Sequence, residues 1–266
     1  MTRGTGDALV LAPGLEVEVA TWPPLEVQHV DGWRLGLSGG FTRRANCALP
    51  LADPVDVLAT LTEVESRYAV ARLPAVVRVG RESRPGGLDA LLVDRGYTRV
   101  AVTDVLVREL AVPGADTVPG ADTVPGSDAV AATDAVALEV TAAPTDDWLT
   151  CWLGVKAGGT VDRALARAIV EGAAGAYVTA RDAHGVVGVV RAAFAGDWVG
   201  LSCLMVEPRA RRRGLGRTLT RAALEAARER GAARAFLQVE VQNTGAAALY
   251  AGLGFQVADR YGYLQR

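Results

Sequence analysis

Cysteine, histidine and lysine are the scarce residues of this 266-residue chain. Its three cysteines, Cys47, Cys151 and Cys203, are widely spaced and odd in number, which excludes a disulfide framework as the source of stability. With only His29 and His184 there is no His-rich metal site, so the chain is expected to work without a metal. Lys156 is the single lysine among 28 basic residues, and it is not part of a Gly-Lys-Ser/Thr run, so no P-loop is present. No apolar run approaches the roughly 18 residues a membrane-spanning helix needs. The stretch from Met1 to Gly14 carries one arginine and a short apolar segment, too little for a signal peptide. Excess positive charge is missing too: the net charge of −2 argues against a dedicated nucleic-acid binder. The absences together lead us to expect a cytoplasmic protein with neither a nucleic-acid nor a membrane partner.

Hydrophobic residues make up 50% of the chain and charged residues 22%, which is enough to build a buried core. At about 150 residues per domain, the length suggests two modest domains. One segment divides them. From Val112 the sequence reads VPGADT, VPGADT, VPGSDA, with Pro113, Pro119 and Pro125, four aspartates by Asp134, and no aromatic residue. Such a stretch buries too little surface to offset its ordering entropy, so 112–135 reads as an acidic Pro/Gly linker. The expected domains are therefore 1–111 and 136–266.

The C-terminal half alternates in character. Leu138–Val140, Ala176–Ala180, Val186–Phe194 and Trp198–Val206 read as strands, with Asp182–Gly185 and Gly196-Asp197 as turns. Asp146–Val155 and Asp162–Glu171 read as helices, capped near Asp147 and Asp162. Leu215–Arg230 is a helix with the apolar stripe Leu215, Leu219, Ala222, Ala223 and Ala226, closed by Gly231. Ala235–Glu240 is a strand, Thr244–Ala251 a helix and Phe255–Leu264 a last strand. This order predicts an α/β fold whose sheet is mixed, mostly antiparallel, and flanked by helices.

The N-terminal half echoes the end of the chain. Gly87 to Tyr97 lines up with Gly245 to Phe255 at a constant offset of 158. A strand, Ala75–Val79, and a helix, Val55–Ala71, precede it as Ala235–Val239 and Leu215–Arg230 precede the other. The pattern predicts a duplicated or pseudo-duplicated architecture.

The densest chemical signal is Val206-Glu-Pro-Arg-Ala-Arg211-Arg212-Arg213-Gly214-Leu215-Gly216-Arg217-Thr218. A strand ends at Pro208, and five arginines then surround two glycines at the mouth of a helix. A helix start offers unpaired N–H groups and the positive end of its dipole, and glycine lets an anion approach closely. Arginine adds charge-assisted bonds to phosphate. The dinucleotide fingerprint needs a third glycine where Leu219 stands. A solvated basic turn or a nucleic-acid patch is the plain alternative for the arginines alone.

Together, the Arg-x-x-Gly-x-Gly loop after a Val-x-Pro strand end, and the series Leu237 to Asn243, Tyr250, Gly254-Phe255, resemble the GNAT superfamily of N-acetyltransferases. The spacing of seven between Asn243 and Tyr250 is kept. The resemblance covers about residues 137–264 and implies acetyl-CoA as co-substrate. In its terms Arg211, Arg212, Arg213, Gly214, Leu215, Gly216, Arg217 and Thr218 cradle the pyrophosphate, and Leu204, Met205 and Val206 pair with the pantetheine arm. Asn243 positions that arm, and Tyr250 protonates the departing thiolate. The acceptor would be the amine of a small molecule or peptide, and a homodimer is left open. Relatives that acetylate protein α-amines carry a glutamate where this strand has Gln238, so the general base is open among Glu240, Glu207, Asp197 and Asp146. The same gap supports an alternative, a non-catalytic acyl-CoA-binding sensor or interaction module. Cys203 reads as a small buried hydrophobe and not as a nucleophile.

Residues 15–111 lack the site. The offset puts Leu92 at the tyrosine's place and Pro85 at the asparagine's, and Leu49 to Pro54 has no glycine with which to cradle a phosphate. A degenerate GNAT-like domain is expected there, as in tandem-type acetyltransferases of actinobacteria. That domain is expected to shape the acceptor cleft and complete the sheet packing, with Trp33, Phe41, Thr42, Arg43, Arg44 and Asn46 forming a polar-aromatic cluster able to reach the substrate.

Overall fold

Short polar turns fold the apolar runs back on one another, and the elements they join follow the expected order. The computed structural model describes residues 11–110, 136–154 and 162–266, so the repeat at 112–135 lies outside the described residues. In chain order the elements begin with α1 (Leu15–Thr21), β1 (Glu26–Val30), β2 (Trp33–Leu37) and β3 (Ala48–Pro50). Next come α2 (Val57–Val70), β4 (Val76–Val79), α3 (Leu88–Asp94) and β5 (Thr98–Glu109). After the repeat follow β6 (Ala137–Thr141), α4 (Asp146–Gly154), α5 (Arg163–Glu171), β7 (Gly175–Asp182), β8 (Gly185–Ala195) and β9 (Trp198–Val206). The chain closes with α6 (Leu215–Glu229), β10 (Arg234–Glu240), α7 (Thr244–Ala251) and β11 (Gln256–Gln265). The α/β class and the mixed, mostly antiparallel sheet with flanking helices are as the sequence predicts.

Two compact units divide the chain, one of Met1–Arg108 with Phe236–Arg266, the other of Glu109–Ala235. In the second, β9, β8, β7 and β6 form an antiparallel ladder in that order. Helix α6 packs across β7, β8 and β9. It buries Leu215, Leu219, Thr220, Ala223, Leu224, Ala226 and Ala227. The stripe therefore runs through Ala223 and Ala227, and Ala222 stands at its half-buried margin. Gly188 makes the close approach possible, since a Cβ there would meet Leu219 and the Met205 carbonyl at 2.8 Å. Helix α4 buries Trp148, whose ring meets the edge of Tyr177 at 5.2 Å. Its cap is the Thr145 hydroxyl, which accepts from the Trp148 N–H at 3.1 Å, so Asp147 lies in the first turn and does not cap. Asp162 does cap α5, accepting from Ala164 and Leu165.

In the first unit the strand order is β1, β2, β3, β4, β11, β5, β10. The β3–β4 pair is parallel, whereas β1–β2, β2–β3, β4–β11 and β11–β5 are antiparallel. Its core gathers Trp33, Leu35, Leu61, Val64, Tyr68, Val77, Leu88, Leu92 and Leu264. Each such large apolar side chain contributes about 2 kcal/mol by leaving water.

The internal echo holds at the level of single hydrogen bonds. Tyr97 N–H bonds to the Leu92 carbonyl and Gly96 N–H to Val93; at the same offset Phe255 N–H bonds to Tyr250 and Gly254 N–H to Ala251. Gly96 and Gly254 both have positive φ, at 91° and 80°, as a left-handed helix exit requires. One helix earlier, Leu73 N–H bonds to Tyr68 as Ala232 N–H bonds to Ala227, with Arg72 and Gly231 in the left-handed position. Helix, strand, helix and strand thus occur twice, each closed by the same turn chemistry.

Candidate active site

Strand β9 brings the chain to the site and changes character on the way. Its first four residues are buried, and Ser202 to Val206 are half-buried on both faces. The register against β8 slips between Ser202↔Arg191 and Met205↔Val189, leaving one extra residue in β9. Cys203 sits at this bulge with a φ of 60°, a conformation that side chains other than glycine seldom adopt. Such a bulge disrupts the ladder beside Leu204, Met205 and Val206, where strand-like pairing with a ligand would need open backbone groups. Cys203 is half-buried at a strained position, not the buried space-filler expected.

After one 3₁₀ turn at Pro208–Ala210 the chain enters the arginine loop. Arg209 is occupied elsewhere: it makes two bonds to Asp182, at 2.5 and 3.1 Å, and these hold the Asp182 carboxyl below its usual range. Arg211 turns back and donates from Nε to the Val206 carbonyl at 3.0 Å. Its guanidinium thereby ties the strand end to the loop, a positioning role beside any direct phosphate contact. Arg212, Arg213, Gly214, Arg217 and Thr218 are exposed, while Leu215 is buried and anchors the turn. Arg212 and Gly214 both take left-handed conformations, at φ values of 60° and 77°. Gly214 is the N-cap of the 15-residue α6 and supplies no side-chain capping bond. The first-turn N–H groups of Leu215, Gly216 and Arg217 have no carbonyl four residues back to bond. An anion at that mouth would meet N–H groups, the dipole end and flanking guanidiniums.

The corresponding helix of the N-terminal half shows what closes such a mouth. Asp56 is the N-cap of α2, and its Oδ1 accepts from Leu58 and Ala59 at 2.9 and 3.1 Å. A fixed carboxylate sits where an anion would, so α2 is its own ligand.

Asn243 and Tyr250 belong to the first unit and bracket α7. Asn243 is the N-cap, its Oδ1 accepting from Ala246 at 3.1 Å, which leaves the amide Nδ2 as the group able to donate to a ligand. Tyr250 is buried in the last turn, its ring edge-on to Phe255 at 5.7 Å and 70°. The arginine-loop residues and Leu204–Val206 fall in the other unit.

Three of the four expected candidates for the base are engaged in ion pairs. Glu240 pairs with Arg43 and accepts from Gln242 at 2.6 Å. Asp197 is held by Arg234, with its Nε at 3.1 Å, and Asp146 by Arg167 at 2.7 Å. Glu207 lies beside the Cys151 thiol, which burial, foremost, pushes up to about 11. The expected cleft cluster also resolves into separate roles. Trp33 is in the core, and buried Asn46 accepts from Ser38 and Gly40 to shape a turn. Arg44 stacks on Trp22 at 5.0 Å, and Thr42 accepts from the Trp22 indole at 3.2 Å.

A contact that joins the two ends of the chain bears on Gln238. Gln238 donates from Nε2 to Glu18 Oε2, across 220 residues of chain. Glu18 is 4% exposed and pairs with buried Arg78 at 2.7 Å, and Arg78 stacks on Tyr261 at 3.6 Å. Nothing in the segment LEVEVAT announces this, because the signal is only a glutamate on a short helix.

Among the described residues no group of His, Cys, Asp or Glu is placed to hold a metal ion, and no helix is long and apolar enough to cross a membrane. Solved structures share this order of elements. A GCN5-related N-acetyltransferase from Kribbella flavida superposes with a TM-score of 0.62 at 21% identity, covering 94% of this chain and 91% of that one. A tandem GNAT protein from the clavulanic acid biosynthesis pathway gives 0.56 at 18%, covering 79% and 69%. A functionally unknown conserved protein from Staphylococcus epidermidis ATCC 12228 gives 0.60 at 12%, covering 93% and 94%. A comparison with curated protein sequences gives no match. The family described as "Probable histone acetyltransferase Rv0428c C-terminal" matches residues 15–264, and the chain belongs to that family.

Proposed function

We propose that this acetyltransferase is an acetyl-CoA-dependent N-acetyltransferase, passing the acetyl group directly to a primary amine without a covalent enzyme intermediate or a metal. The observation that carries the reading is the open mouth of α6: Gly214 leaves it uncapped, whereas Asp56 fills the equivalent mouth of α2. Arg212 to Arg217 and Thr218 would bind the pyrophosphate, Leu204 to Val206 the pantetheine amides, and Asn243 its arm. Tyr250 would give its proton to the departing thiolate. The degenerate N-terminal half would contribute to the acceptor side, with a cytoplasmic location. The family's name points to a histone, so lysine side chains of a basic peptide join small-molecule amines as acceptors to be tried.

Two measurements on the full chain test this. Calorimetric titration should show saturable acetyl-CoA binding, and no binding overturns the reading. Thiol release against a panel of small amines and lysine-containing peptides should show turnover with at least one. Tight binding with no release for any amine would instead identify an acyl-CoA sensor.

A further inference from the structure

We propose that Glu18 is the general base of the transfer, with Gln238 holding the acceptor amine beside it. The inference rests on the acetyltransferase reading above and supplies a proton acceptor beside position 238, where β10 carries glutamine.

The geometry carries it in three steps. Glu18 Oε2 receives both Arg78 Nη2 and Gln238 Nε2, so the Gln238 amide is fixed in orientation. Its other end, Oε1, is buried and has no hydrogen-bond donor among the described residues. A buried carbonyl oxygen without a donor is costly, and an amine N–H is the donor that a transferase of this class would bring. Glu18 also lines a small, partly open pocket of about 20 Å³, shared with Arg78, Asp259, Tyr261 and Ser83, which gives a proton a route to solvent.

The charged and titratable groups facing Glu18 are Arg78 from β4, Arg81 and Glu82 from the turn after it, Arg44 from the 3₁₀ turn, and Asp259 and Tyr261 from β11. Burial raises the Glu18 carboxyl above its usual range; the two arginines oppose that, and Asp259 adds to it. A carboxylate moved towards neutrality accepts a proton more effectively at working pH.

The protons and electron pairs balance. The acceptor arrives as an ammonium and yields one proton to Glu18, directly or through one water, and Glu18 passes it to the pocket. The freed nitrogen pair forms the C–N bond at the thioester carbon, and the C–S pair leaves on sulfur. The sulfur takes the Tyr250 proton, and the second amine proton restores the phenol.

The test is the pH–rate profile of thiol release from pH 6 to 10, with an amine the wild type accepts. Glu18→Gln should lower kcat at pH 7 by about 100-fold, with the deficit shrinking as the pH passes the amine's own pKa. Acetyl-CoA affinity should stay within about twofold of wild type. An unchanged kcat, or an equal loss at every pH, overturns the inference. Because this change removes the counter-charge of Arg78, the exchange variant Glu18→Gln with Gln238→Glu keeps both the charge and the hydrogen bond. It should recover about tenfold of the lost turnover, and a folded exchange variant that recovers none also overturns it. A wild type that releases thiol while Glu18→Gln shows no pH-dependent defect removes Glu18 alone. A wild type silent towards every amine removes the transferase reading and this inference together.

Discussion

Gly214 and Gly87 permit a controlled experiment on the phosphate site. Both are helix N-caps, at φ/ψ of 77°/−1° before α6 and 78°/6° before α3, and neither makes a side-chain cap bond. A Cβ built at either would meet nothing within 4 Å. Alanine therefore costs only left-handed strain at each, about 1–2 kcal/mol. At about 2–4 °C per kcal/mol for a chain of this size, both variants should melt about 2–8 °C below wild type. Acetyl-CoA should separate them. At Gly214 the added methyl occupies the mouth where a phosphate oxygen would reach the first-turn N–H groups, and losing one such charge-assisted bond costs about 1.5–3 kcal/mol. That is about a 10- to 100-fold rise in Kd for Gly214→Ala, with no change for Gly87→Ala. Melting curves and calorimetric titration of the two variants side by side measure both effects. Equal losses in Tm with wild-type affinity in both would refute the placement of the pyrophosphate at α6.

Tyr250→Phe should keep acetyl-CoA affinity and lose about 100-fold in turnover near neutral pH; steady-state kinetics with unchanged kcat would remove its role as acid. Asp56→Ala removes the cap of α2 and should lower stability by about 1 kcal/mol in urea unfolding, leaving acetyl-CoA binding untouched. Glu65 accepts from Arg95 Nε and Nη2 at 2.8 and 2.9 Å and from the Tyr97 hydroxyl at 3.1 Å; Arg95's bonds, foremost, hold its carboxyl below the ordinary 4.5. A carboxyl lowered on folding stabilises above its unfolded value and loses that contribution as pH falls through its folded value. Glu65→Gln should therefore be less stable than wild type at pH 7, with the gap closing below the ordinary value of 4.5; a gap constant across pH would refute the assignment.

The sequence was most legible where local chemistry and packing agree. Trp198–Val206 and Thr244–Ala251 form over the residues expected, because glycine turns and the Asn243 cap fix their ends. Helix α6 was readable from its stripe and from Gly231. Leu15–Thr21 was not: LEVEVAT alternates in a strand-like period of two, yet it forms a helix that buries Glu18 and Thr21. Tertiary pairing with Arg78 overrides the local pattern there. The bulge at Cys203 carried no glycine to mark it. The Trp33 and Asn46 assignments failed because composition cannot tell a cluster along the chain from one in space. The contact between Glu18 and Gln238 lay beyond reach for the same reason.

What separates the two halves is therefore narrower than their sequences suggest. Their main-chain closures coincide bond for bond, at Leu92–Tyr97 and Tyr250–Phe255, because a helix that must exit into a strand has few ways to satisfy its last carbonyls. No such constraint acts on the side chains carrying the chemistry. Leu92 can fill the core where Tyr250 stands, and Asp56 can close a helix mouth that Gly214 leaves open, without disturbing the frame. An aspartate cap stabilises α2 by about 1 kcal/mol and excludes an anion in the same stroke. Gly214 gives up that stabilisation and keeps the mouth available. Side-chain capping and anion binding draw on the same N–H groups, so under the proposed function the residue at the N-cap would decide which half can serve a nucleotide-borne diphosphate.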